Sequence, residues 1–448
     1  MKTMNFTVVG ENYKKMRFAF PILFFVLLMA ACNNRFHDVD LVITNVTIVD
    51  PVNQKITPSQ NILIKDSIIQ EIFDNSIKIN IADSLIIDGT GKYVISGFWN
   101  MHTHVCWKED LNETLFPVLL SYGITGVRDM AGDAEIMNSF KHQIENDPTS
   151  GPLIYGPGPI LDGENPIHPD FSVALTEMNL QQTLDSLYSK KVDFLKVYSL
   201  LPANIVEQIS AYSQKRNIDF AGHISEYISP VKAAKLHQKS FEHLNRIEEL
   251  YADTAELNAF IQAVRDNQSW LCPTMIIYKR KIEIAEGKDL YHPLYEVVDN
   301  YIKAEWQQIK ARREGAVSSP GKLDQLITTY NAQKELIKLF YQKNVPMLIG
   351  SDFGGMAFIY PGYSYHEEMA LFAELGFDNY DILRMATYNP ALYFNISTTH
   401  GSIEKGKVAD LVLLDKNPID NIHNTREIVT VIREGKKVKL PPTNNERY

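Results

Sequence analysis

The sequence predicts an α/β chain: a (β/α)8 barrel with a small β-sandwich domain built from both ends of the chain. Three observations predict it. Short apolar runs alternate with helical patterns through the middle of the chain, as in a parallel sheet with crossover helices. Runs of β-branched residues separated by turns fill both ends. Six residues able to bind a metal or carry charge close the strand-like runs, which in a barrel is where active sites form.

Residues 1–31 read as a signal peptide. Lys14, Lys15 and Arg17 precede an apolar run from Phe18 to Ala31 that is too short to span a bilayer. The run ends Leu28-Met29-Ala30-Ala31-Cys32, which resembles a bacterial lipoprotein signal with Cys32 as the lipidated residue. A buried N-terminal helix is the alternative, and Met16 is an alternative start. The expected location is the bacterial cell envelope, outside the cytoplasm, with Cys32 as the only membrane contact and 32–38 as a tether.

Residues 39–91 and 400–440 supply the β-sandwich domain. The first part carries Leu41-Val-Ile-Thr-Asn-Val-Thr-Ile-Val, Ile62-Leu-Ile, Ile68-Ile-Gln-Glu-Ile and Leu85-Ile-Ile-Asp-Gly-Thr-Gly; the second carries Ala409-Asp-Leu-Val-Leu-Leu and Ile428-Val-Thr-Val-Ile-Arg-Glu-Gly-Lys. Residues 92–399 form the barrel. Its eight strands are expected around 95–104, 123–130, 152–157, 192–199, 218–224, 239–244, 269–275 and 345–352, with helices such as 174–190, 202–216, 254–266 and 329–343 between them. The stretch 280–330 is too long for a simple connection and reads as a mostly helical insertion that could act as a lid.

A chain of 448 residues can bury a large core, and its formal charge of −10 leaves no basic stripe for nucleic acid. Beyond Cys32 only Cys106 and Cys272 remain, too few for a disulfide framework. Both read as small buried apolar side chains near strand ends. A homo-oligomer is compatible with the sequence.

The chemistry gathers at strand ends. His102 and His104 lie one residue apart, and a strand points i and i+2 to one face, so both imidazoles can reach one ion. His223 and His243 close later runs; each alone could be a core histidine, but four together point to metal. Lys196 ends Val-Asp-Phe-Leu-Lys-Val-Tyr. It either reaches solvent or reacts as a neutral amine with carbon dioxide, giving a carbamate that can bridge two cations. Tyr198 shares its face and either donates to a substrate oxygen or fills the barrel mouth. Asp352 closes Val345-Pro-Met-Leu-Ile-Gly-Ser-Asp and can bind an ion, move a proton, or cap the next segment. Ser364-Tyr-His-Glu367 matches a capping box, which makes Glu367 structural and leaves the role of His366 open.

With these residues in view, the chain resembles the amidohydrolase superfamily of metal-dependent hydrolases. Val94-Ile-Ser-Gly-Phe-Trp-Asn-Met-His-Thr-His is similar to the superfamily's first strand and Gly123-Ile-Thr-Gly-Val-Arg-Asp to its second. Gly401-Ser-Ile-Glu-Lys-Gly-Lys-Val-Ala-Asp-Leu-Val-Leu-Leu-Asp is similar to its C-terminal return to the β-sandwich. The likeness runs from about 39 to 440 and is strongest to the prolidase-like, or Xaa-Pro-dipeptidase-like, branch. It implies two divalent metal ions, usually zinc. His102, His104 and Asp352 would bind the more buried ion, His223 and His243 the second, and carboxylated Lys196 would bridge. The loop Leu161-Asp-Gly-Glu-Asn-Pro-Ile-His168-Pro lacks the Gly-Gly-His-Gly stretch of the dipeptidases; His168 remains a candidate substrate contact.

The resemblance implies cleavage of a C–N amide bond, in a dipeptide or N-acyl amino acid, by metal-activated hydroxide. Asp352 would be the catalytic base, and Tyr198 would stabilise the oxyanion. The alternatives are a mononuclear cyclic-amide hydrolase or deaminase of the same superfamily, and a lipid-anchored binding protein that has lost its chemistry.

Overall fold

The computed structural model describes residues 39–440, apart from 78, 80 and 317–319. The predicted signal peptide, the tether and Cys32 lie outside the described residues. No described helix is long and apolar enough to cross a membrane.

The first five strands are β1 (Leu41–Asp50), β2 (Lys55–Lys65), β3 (Ile68–Asp74), β4 (Ile86–Asp88) and β5 (Tyr93–Ser96). β1 pairs antiparallel with β2 and parallel with β4 and β5. The chain then changes sheet at Gly97: Phe98 N–H donates to Gly123 O, 2.9 Å away, and opens the parallel part of the fold. A Cβ at Gly97 would lie 2.0 Å from Thr125 Oγ1, so only glycine lets the two strands come this close. The run expected as one strand over 95–104 is therefore two strands in two sheets.

The parallel part begins with β6 (Phe98–Thr103), α1 (Leu111–Ser121), β7 (Ile124–Asp129), α2 (Ala134–Asn146) and β8 (Leu153–Tyr155). It continues through β9 (Ile160–Asp162), β10 (Ser172–Ala174), α3 (Leu180–Ser189), β11 (Phe194–Val197), α4 (Ala203–Arg216) and β12 (Asp219–Gly222). Next come α5 (Pro230–Lys235), β13 (Ser240–Glu242), α6 (Thr254–Asp266) and β14 (Trp270–Cys272). β6 and β7 are buried along their whole lengths, as parallel strands covered by helices on one side and side chains on the other must be. Caps set the helix starts. Asp133 accepts from the Glu135 and Ile136 amides, and Asp253 from those of Ala255 and Glu256.

Parallel pairing joins β6-β7-β8 in one sheet and β10-β9-β11-β12-β13-β14 in another. Asp193 N–H donates to Gly156 O at 2.9 Å between them. The segment 345–353 makes no continuous ladder; single bridges join Met347 to Leu271 and Phe353 to Thr103 and Met356. Pro346 has no N–H to give. Even so, Leu271 donates to Pro346 O at 3.0 Å and Met101 to Ile349 O at 2.8 Å, so the parallel array curls round until 345–353 lies between β14 and β6.

The insertion is helical as expected: α7 (Met275–Ala285) leads to α8 (Asn300–Ala316) and α9 (Lys322–Gln342). α10 (Tyr363–Glu374) and α11 (Asn379–Tyr393) follow, then β15 (Leu411–Leu414), β16 (Ile428–Arg433) and β17 (Lys436–Lys437). β15 pairs with β5 and β16, which puts strands from both ends of the chain in one eight-stranded sheet. That sheet has its own apolar core, including Ile43, Ile62, Val94, Leu411 and Ile432, distinct from the large core around the parallel strands.

Candidate active site

All eight residues proposed as metal ligands or substrate contacts line one cavity of about 460 Å³: His102, His104, Lys196, His223, His243, Asp352, Tyr198 and His168. His104, His223 and His243 each follow the last residue of β6, β12 and β13, and Lys196 is the next-to-last residue of β11. His102, His243 and Asp352 bring ligand atoms within 4.8 Å of one another. The rings of His102 and His243 are 4.5 Å apart, and those of His223 and His243 5.0 Å.

The backbone is bent to achieve this. His243 and Asp352 both have positive φ, 66° and 58°, a region that few non-glycine residues adopt, Asp and His more often than most. Two hydrogen bonds hold them there: His243 N–H to Cys272 O at 3.0 Å and Asp352 N–H to His102 O at 2.7 Å. A side chain on Gly355 would reach within 2.5 Å of the Asp352 carboxylate, so glycine there keeps the site open.

In all four histidines Nδ1 has a hydrogen-bond partner. For His102 it is Glu242 Oε2 at 2.8 Å, for His104 Ala131 O at 3.4 Å, for His223 Ser199 Oγ at 3.1 Å and for His243 Thr274 Oγ1 at 2.5 Å. A carboxylate and a carbonyl only accept, so His102 and His104 carry their proton on Nδ1. The Thr274 hydroxyl donates to Pro273 O, so its oxygen accepts from His243 in the same way. In His102, His104 and His243 this leaves Nε2 as the lone-pair nitrogen. His223 Nδ1 also faces the donor Nδ2 of Asn245 at 3.4 Å, and the Ser199 hydroxyl can give or accept, so the contacts of His223 admit both tautomers. His223 Nε2 is buried with no partner among the described residues. Burial pushes His102 down to about 4 against the pull of Asp352 and Glu242, and holds His223 and His243 well below the usual range. Neutral imidazoles with inward lone pairs are what a divalent cation requires.

Asp352 Oδ1 stands 3.3 Å from His102 Nε2 and 3.1 Å from His104 Nε2. Burial would raise its pKa, but the facing histidines overcome this and hold the carboxylate ionised. Lys196 is 2% exposed, and burial pushes it down to about 8, with Glu242 opposing. Tyr198 stacks on His223 at 3.9 Å, and burial raises its hydroxyl above the ordinary phenol range. His168 packs edge-on against Tyr198 at 5.6 Å.

Several contributors were not foreseen. Arg128, fully buried, gives Nη2 to both oxygens of Glu242 at 2.9 Å and Nη1 to Ser240 Oγ and Tyr393 OH. Glu242 in turn fixes His102, so this arginine positions a site histidine through one carboxylate. A charged residue inside an apolar strand was the available signal in both cases. Trp107 stacks between His104 and Phe171, at 5.0 and 4.5 Å. The insertion adds Lys281, Glu305, Ile309, Arg312 and Arg313 to the cavity wall.

The capping box at 364 does not form: Gly362 is the N-cap of α10, and Ser364 lies inside the helix. Glu367 is structural through an ion pair to Arg280 at 2.8 Å instead. His366 is buried away from the cavity, its Nε2–H donating to Tyr122 O at 2.9 Å. Cys106 and Cys272 are buried and free, not paired. Burial pushes His366 down to about 3. The unfolded chain therefore takes up this proton first, and the stabilisation present above about pH 6.5 is lost as pH falls toward 3. His366→Gln should flatten the decline of the urea midpoint between pH 6.5 and 4, relative to the parent protein. An unchanged decline would contradict the assignment.

The amidohydrolase family profile matches residues 93–438. The chain belongs to the amidohydrolase family. Members are metal-dependent hydrolases of carbon–nitrogen bonds, and this chain is one. Among solved structures, it is similar to an Xaa-Pro dipeptidase with bound methionine, at 18% identity and a TM-score of 0.69 over 89% of this chain and 99% of that one. It is also similar to a bottromycin amidohydrolase (18%, TM-score 0.69, over 88% and 86%) and to the ochratoxinase of A. niger (14%, TM-score 0.67, over 89% and 96%). At these identities the likeness is one of fold. A dihydroorotase from Thermoanaerobacter sp. (strain X514) is 42% identical over 65 residues, which span 14% of each chain.

Proposed function

We propose that this amidohydrolase cleaves the amide bond of a dipeptide or an N-acyl amino acid at a two-metal centre. The parallel array would be the (β/α)8 barrel and the end-built sheet its β-sandwich. The observation that carries the proposal is four histidines around one cavity, each with Nδ1 hydrogen-bonded, and the buried Nε2 of His223 without a partner among the described residues.

His102, His104 and Asp352 would hold the more buried ion and His223 and His243 the other, with Lys196 bridging as a carbamate. Burial that disfavours its ammonium form supports the amine that carbon dioxide needs. Two bound cations, zinc being the usual pair, supply an acidified water and a polarised carbonyl. Asp352, ionised and beside both first-strand histidines, takes the proton from the attacking water and returns it to the leaving nitrogen. Tyr198 keeps its proton and can donate it toward the developing oxyanion. Cys32 would anchor the enzyme to the envelope membrane.

A cyclic amide is the second reading, favoured by the dihydroorotase segment. One screen separates the two: dipeptides, N-acyl amino acids and cyclic amides assayed with zinc, after chelation, and after zinc is restored. Turnover of a linear amide that chelation abolishes and zinc restores is expected. Turnover of cyclic amides alone, or turnover indifferent to chelation, would contradict the proposal.

A further inference from the structure

The helical insertion carries a charge pattern that the proposed chemistry leaves unused. Ile277 and Lys281 of α7 line the cavity at i and i+4, so they share one face of that helix. On α8 the cavity-lining residues are Glu305, Ile309, Arg312 and Arg313, again one face at helical spacing. Arg312 and Arg313 are exposed and so stand at the solvent side of the cavity.

Three neighbouring cations of the insertion are paired. Arg280 binds Glu283 and Glu367, Lys288 binds Glu286, and Lys310 binds Glu314. Lys281, Arg312 and Arg313 make no ion pair or hydrogen bond with any described residue, although the chain has 54 acidic residues to 44 basic ones. Lys281 lies over an aromatic face, 4.2 Å from the Tyr278 centroid. Glu305 is the one carboxylate on that wall, and it pairs with none of the three.

The charges face the site. That of Arg312 reaches His168, and that of Arg313 reaches Tyr198 and Lys281. Three unpaired cations on one wall repel one another, and an anion between them relieves the repulsion.

We infer that Lys281, Arg312 and Arg313 form the docking site for a free carboxylate on the leaving amino acid, so that the helical insertion selects the substrate. This rests on the amide-hydrolase reading above, because it places the carboxylate relative to the scissile bond. The scissile carbonyl would lie at the histidine end of the cavity, which Tyr198 and His168 also line.

The test compares a substrate found in the screen with its C-terminal carboxamide. The parent protein should prefer the carboxylate. In Arg312→Gln/Arg313→Gln, kcat/KM for the carboxylate should fall at least about tenfold, mainly through KM, and the preference should approach one. Lys310→Gln, on the same helix but paired to Glu314, controls for loss of net positive charge and should keep the parent's preference. An unchanged preference in the double variant, or an equal loss in Lys310→Gln, would overturn the docking site while leaving amide hydrolysis intact. Should no amide be turned over, calorimetric titration of the zinc-loaded protein with N-acetyl-L-leucine and its carboxamide decides alone. Binding of the acid that the double variant loses supports the site, and equal binding of acid and amide overturns it.

Discussion

Replacing Asp352 by Asn should lower kcat by about 10²–10⁴-fold, the span that a positioned acid–base group commonly contributes. The substitution keeps the side chain's shape and removes its charge and proton affinity. Asn also tolerates the left-handed conformation that residue 352 adopts at φ 58°, so the turn need not rearrange. The carboxylate sits 3.1 Å from His104 Nε2 and 3.3 Å from His102 Nε2, where a base is next to any water held by those histidines. Metal content must be measured on the same preparation, because Asp352 is assigned to an ion as well as to the proton. A variant that keeps its metal and loses turnover supports the base. One that keeps both would remove it.

Arg128→Met should be the most destabilising single change near the site. Arg128 and Glu242 are both fully buried and bonded through two contacts of 2.9 Å. Removing one member of such a pair strands the other charge in the core, at a cost of about 3–5 kcal/mol. The loss should exceed that of Arg128→Met/Glu242→Gln, which removes both charges together. Urea unfolding monitored by circular dichroism measures this difference. Equal stability of Arg128→Met and the parent would show that the pair does not support the fold. The same change should weaken metal retention, because Glu242 is what orients His102.

Much of the site was readable because it is local. The alternation that puts His102 and His104 on one face needs only two residues of context, and Lys196, His223, His243 and Asp352 each close a short apolar run. The structure brings all six to one cavity. What escaped was non-local or masked by composition. Arg128 and Glu242 lie 114 residues apart and read separately as a charge in an apolar run. The break at Gly97 is hidden because apolar residues continue through it while the pairing partner changes. The short strands β9 and β10, which flank the His168 loop, are three residues each and carry no periodic signal. The helical insertion was visible as extra length, but the face it turns to the cavity depends on packing that sequence spacing does not report.

Metal stoichiometry tests the central claim most directly. Protein loaded with zinc, freed of excess metal and analysed by mass spectrometry of the elements should hold two ions per chain. One ion per chain, or none in a folded protein, would contradict the two-metal centre assigned to His102, His104, Lys196, His223, His243 and Asp352.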